Sequence, residues 1–167
     1  MGKVLDFLKT RTVSFYLFII SAIFSFIAVG IAVVSCSAPN GAYKILNQEL
    51  MVALSIIGSL IIIATVALSS IYGEKLWISI LPFIATILLG CTIIILFTGK
   101  IDLMGTIWFS ELDRGNKVAE EALNLGVVSL VMYVISMITL DFGECSYKLI
   151  TGKENKGRKL KWHNFKL

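Results

Sequence analysis

The sequence predicts an all-α polytopic membrane protein, an antiparallel four-helix transmembrane bundle with a short interfacial helix at one surface. Three observations predict it. Hydrophobic residues make up 57% of the chain, above the 45–50% or so of soluble domains, and mean hydropathy is +0.87. The excess falls in four blocks, Val13–Val34, Leu50–Ile71, Leu76–Phe97 and Leu125–Leu140. Each of the first three holds 22 residues and no charge. A helix rises about 1.5 Å per residue, so each covers roughly 33 Å, enough to cross a hydrocarbon core of about 30 Å. Backbone groups in lipid must be satisfied inside the segment, which makes each block a helix.

In chain order, the N-terminal segment brings Lys3, Lys9 and Arg11 ahead of the first block. "MGKVLD" begins like a myristoylation signal but has Asp6 where Ser or Thr is required. The first span is expected over about 13–35. "VVSC" at its end resembles a lipobox around Cys36, but a signal h-region is about 7–15 residues and this run is 22. We therefore expect an uncleaved span. A turn signal at Pro39-Asn40-Gly41 leads to a second span over about 50–72. "GEK" then closes a tight hairpin to a third span over about 76–98. Pro82 sits in the second turn of that span, where a kink would free the carbonyl of Ile78.

The connector after Phe97 is the least lipid-like part of the middle of the chain. Ile101, Met104, Trp108 and Leu112 share one helical face, and Asp102, Thr106, Glu111 and Asp113 occupy the rest. This pattern predicts a short amphipathic helix over 102–112, lying in the headgroup layer with Trp108 as its anchor. Gly105 weakens regular helix there. "DRGN" turns the chain, and Asn116 is a good N-cap, with Glu120 and Glu121 suited to the first turn. The last helix should begin near Lys117 and span about 120–141, its polar first third accounting for an apolar run of only 16 residues. Residues 1–167 read as a single four-span domain with a basic tail at 148–167.

Orientation follows from Lys and Arg. Eleven fall on the side of the N-terminus, the "GEK" connector and the tail, and four, Lys44, Lys100, Arg114 and Lys117, on the other. The positive-inside rule places both termini in the cytoplasm, in a bacterial-type plasma membrane.

Several function classes are excluded. No Asp, Glu, Lys, Arg or His lies in the first three blocks or between Leu125 and Leu140. Proton relays and ion-coupled carriers need such groups. Cys36, Cys91 and Cys145 have no dithiol spacing and His163 is the one histidine, so neither electron transfer through paired cysteines nor a metal set is expected. No nucleophile–base pair or phosphate loop occurs, so no enzyme and no cofactor is expected. Claudin-type and tetraspanin-type proteins share the four-span layout, but their paired extracellular cysteines are missing here.

Small residues form stripes: Ser21, Ser25, Ala28 and Ala32; Ser55 and Ser59; Thr86 and Gly90; and Gly126, Ser129, Tyr133 and Ser136. Stripes of this kind let helices approach and let hydroxyls bond across them. The expected partners are the lipid bilayer, a membrane-protein partner or a second copy, and anionic lipid at the tail. Nucleic acid is not expected. Docking of a partner falls to Trp108, Phe109, Glu111, Asp113 and Arg114, because exposed aromatics anchor interfaces. Inner-leaflet lipid contact falls to Lys156, Arg158, Lys159, Lys161 and Trp162. The function expected first is a non-enzymatic accessory, scaffold or assembly subunit of a membrane complex. A small oligomeric channel or carrier without proton coupling comes second.

Overall fold

The computed structural model describes residues 13–37, 44–72, 77–109 and 115–163, with side chains described up to Cys145 in the last stretch. Among the described residues four helices follow one another: α1 (Val13–Cys36), α2 (Gln48–Tyr72), α3 (Ile80–Phe109) and α4 (Lys117–His163). All four are long and apolar enough to cross a membrane, α4 over its part Lys117–Cys145. The chain is a multi-pass membrane protein. Each helix packs on its neighbours in sequence, and α1 closes the ring on α4, the most extensive of the four contacts. An even number of spans puts the α1–α2 and α3–α4 connections at one end, called here the loop end. Val13 and the continuation of α4 past Cys145 lie at the other.

Closure of the ring rests on a heptad of small residues. Along α1 they are Ser14, Ser21, Ala28 and Ser35, and along α4 Ala122, Ser129, Ser136 and Gly143. Seven residues are close to two turns, so each set stays on one face. The faces meet antiparallel and form rungs. Ser14 Oγ donates to Gly143 O at 2.8 Å. Ser21 Oγ donates to Ser136 O, and Ser136 Oγ returns a bond to Ser21 O, both at 2.8 Å. Ser129 Oγ donates to Ala28 O at 2.8 Å. A serine reaches a neighbouring backbone carbonyl only where the helices are very close, which small residues permit. In lipid such packing and bonding, each hydroxyl worth about 0.6 kcal/mol on average, replace the hydrophobic effect as the source of association.

A second polar thread ties α2 into the ring. Ser25 and Ser59 share a hydroxyl bond of 2.6 Å, and Ser59 Oγ also donates to Ser55 O at 2.8 Å. Ser55 Oγ and Tyr133 OH lie 2.6 Å apart, with Tyr133 fully buried. This last bond crosses the bundle from α2 to α4. The stripes expected on α1, α2 and α4 are thus interior. The pair on α3 is not: a Cβ added to Gly90 would meet nothing within 4 Å, and Thr86 instead donates to Asp141 Oδ1 at 3.3 Å.

The ends of the helices follow local rules. Asn116 Oδ1 accepts from Val118 N at 3.1 Å and starts α4 at Lys117, the cap and the start its sequence predicts. Gly115 before it takes a φ of 83°, open to glycine. α3 starts at Ile80, four residues later than the apolar run. Pro82 therefore falls in the first turn, where its missing N–H costs no helical bond, and Ile78 O accepts from Leu81 N at 3.2 Å.

The third span differs from its prediction at the other end. It does not stop at residue 98 before a separate interfacial helix. The chain stays helical through Phe109 as one element of 30 residues. The cause is a second apolar cluster in which Ile107 packs with Ala119 and Ala122 of α4, joined by Leu103 and Leu123. This contact outweighs Gly105, whose helical penalty is only about 1 kcal/mol. The Pro39-Asn40-Gly41 turn and the "GEK" connector lie outside the described residues.

Candidate functional site at the loop end

Lys100 is the residue that sequence reading places wrongly. Counted as a connector charge, it is 5% exposed inside the bundle. Its position on α3 explains why. Ala85, Leu89, Thr92, Leu96, Lys100 and Ile107 are buried at helical spacing, so Lys100 continues the interior stripe. Its Nζ donates to Ser35 O of α1 and to Ala122 O of α4, each at 3.3 Å.

These two carbonyls belong to the fourth position of the heptad described above. The serine hydroxyl there cannot make the rung, because Ser35 Oγ is turned back onto Ala32 O at 2.9 Å. Lys100 spans the two backbones instead. Ser35 also lies in the last turn of α1, where carbonyls lack helical partners and the helix dipole favours a cation. α1 carries no basic residue in that turn. Lys100 supplies the charge from a different helix. Gly126 makes room for it: an added Cβ there would overlap Cγ, Cδ and Cε of the lysine stem. Gly99, beside Lys100, receives Ile45 in the same way and holds the start of α2 against α3.

Among the described residues, the helices that continue above this level are α3 and α4. α1 has 24 residues, about 36 Å, so it ends close to the edge of a core of about 30 Å. Trp108 lies eight residues beyond Lys100, about 12 Å further along the helix. The two helices form a stalk, closed inside by the Ile107–Ala119–Ala122 cluster. Trp108 is 66% exposed and Phe109 91%. Ile101 and Met104 are exposed on the same face as Trp108.

Of the five residues expected to dock a partner, Trp108 and Phe109 therefore stand together at the tip of the stalk, and Glu111, Asp113 and Arg114 lie outside the described residues. Lys156, Arg158, Lys159, Lys161 and Trp162 are carried on α4 itself, whose helix runs on to His163. The structure brings none of them to the loop end. The signal that would have found Lys100 is its register: it follows Leu96 by four residues and precedes Ile107 by seven, within one apolar stripe. No family model matches this sequence, and comparison with curated proteins and with solved structures likewise finds no match.

Proposed function

We propose that this small membrane protein is a non-enzymatic accessory or assembly subunit of a membrane complex, holding a partner at the loop end of its bundle. In this reading both termini are cytoplasmic, the stalk faces the other side of a bacterial-type plasma membrane, and the basic tail contacts anionic lipid. One observation carries the proposal. Trp108 and Phe109 are exposed at the tip of a helix pair that rises about 12 Å past the end of α1. The interfacial layer on each side of a bilayer is only about 5–8 Å deep. A tryptophan serving as a lipid anchor sits within that layer, and with the end of α1 at the edge of the core the length of α3 carries this one past it. The interior hydroxyls are bonded to one another or to backbone carbonyls, which supports a packed scaffold over a polar passage.

Lys100 favours a second reading, a small oligomeric channel or carrier, because an ionisable group within a bundle marks a functional site by default. Two donors of its ammonium are already held by carbonyls of α1 and α4, which suits a structural post better than a transport site. A photo-crosslinking residue placed at Trp108 or Phe109 tests the first reading in native membranes. A discrete protein adduct is the expected result. Adducts to lipid alone would refute it.

A further inference from the structure

We propose that the stalk docks into a protein surface of defined chemistry, an apolar groove rimmed by lysine or arginine. This rests on the reading of the Trp108 tip as a protein contact and goes on to name what fits it. The exposed ridge is Ile101, Met104 and Trp108, three side chains on one helical face over about two turns. That is the anchor spacing with which a helix enters a groove on another protein. The described charges exposed on the stalk are Asp102, Glu120 and Glu121 against Lys117. An apolar ridge in acidic company selects a basic rim.

The same charges argue against a second copy as the occupant. Two copies in one membrane stand at equal height, so their stalks would bring like carboxylates together, which disfavours pairing. Lipid is argued against by height: with the end of α1 at the edge of the core, the rise of α3 from Ile101 to Trp108 takes the ridge past a headgroup layer of about 5–8 Å. A heterologous protein partner with a cationic rim is the occupant that meets all three conditions.

The test uses the full chain in phosphatidylcholine nanodiscs, with Trp77→Phe and Trp162→Phe leaving Trp108 as the one indole. The probes are two amphipathic helical peptides with the same apolar face, one rimmed by lysine and one by glutamate, with binding to empty nanodiscs subtracted. Without peptide, Trp108 should be quenched by iodide and not by brominated acyl chains. Quenching by brominated chains would overturn the protein-contact reading itself, and the groove proposal with it. The lysine-rimmed peptide should shift Trp108 emission to the blue and bind about tenfold more tightly than the glutamate-rimmed one. That preference should shrink as salt rises and reverse in Asp102→Lys/Glu120→Lys. Equal binding of both peptides would overturn the basic rim while leaving the contact reading standing. Binding of neither, or a protection of Trp108 that grows with copies per disc, would overturn the groove.

Discussion

A change at Gly126 should reverse its sign depending on what occupies position 100. In the native chain, Gly126→Ala places a methyl group where the Lys100 stem runs. The stem must leave, and Nζ loses Ser35 O and Ala122 O. A hydrogen bond to a charged group is worth about 1.5–3 kcal/mol, and at 3.3 Å the low end applies. Some of that loss is recovered when the ammonium reaches water, and alanine gains about 1 kcal/mol over glycine in a helix. The net expectation is a destabilisation of about 1–2 kcal/mol. In Lys100→Ala the stem is already gone. Gly126→Ala then fills part of the vacated space and keeps its helical gain, so it should stabilise by about 0.5–1 kcal/mol. The coupling between the two positions is therefore about 1.5–3 kcal/mol, within the range for contacting residues. Lys100→Met separates charge from packing: it keeps the stem over Gly126 and should lie within about 1 kcal/mol of the native chain, since losing a buried charge offsets losing its bonds. The assay is reversible unfolding in mixed micelles, read as four free energies around the cycle. Additive effects, or a Gly126→Ala that destabilises equally in both backgrounds, would refute the crossing of Lys100 over Gly126.

Other expectations follow from the same geometry. Ser21→Val with Ser136→Val removes a reciprocal pair of bonds between α1 and α4. Its cost should exceed that of Thr98→Val, an exposed hydroxyl on α3, by about 1–2 kcal/mol in the same unfolding assay. Cys36 closes α1 as a buried helical residue, so intact mass should show no mature form beginning at a lipid-modified Cys36, and such a form would refute the uncleaved span. In a background without native cysteines, a thiol at Ser110 should label from outside intact cells and one at Ser146 should not, and swapped labelling would invert the orientation. Reconstituted vesicles should show no uptake driven by a pH gradient. Lys100 is the one charged side chain among the buried described residues and its donors face backbone carbonyls, so flux that vanished in Lys100→Met would favour the carrier reading.

The parts of this fold that depend on one helix at a time are legible in the sequence. Uncharged runs of 22 residues locate the first three spans, and Asn116 fixes the start of the fourth. What depends on two helices is not. Lys100 breaks an apolar run and so reads as surface, but its burial is decided by Ser35, Ala122 and Gly126, which come from elsewhere in the chain. The run of α3 through Gly105 is likewise decided by Ala119 and Ala122. The serine stripe was visible as a packing face, while its register was not, because Ser14, Ser35 and Gly143 fall near the ends of the apolar blocks and enter the pattern only when α1 is laid against α4. At the candidate site, the aromatic pair Trp108-Phe109 stands out from composition alone. Its height above the bundle became visible only once α3 proved continuous.

The rungs between α1 and α4 also set a timetable. α1 and α4 form the most intimate pair, so the bundle cannot be clasped until α4 has been made. Contacts so distant in sequence are the slow ones in folding. Meanwhile the hydroxyls of Ser21 and Ser25 stand in lipid with one local alternative, the carbonyls three and four residues back on their own helix. Ser35 keeps that arrangement in the finished structure. Assembly is then a change of partners, in which each serine releases its own helix to take hold of another. The α2–α3 hairpin, joined by a short connector, can be in place beforehand as the wall against which that exchange occurs.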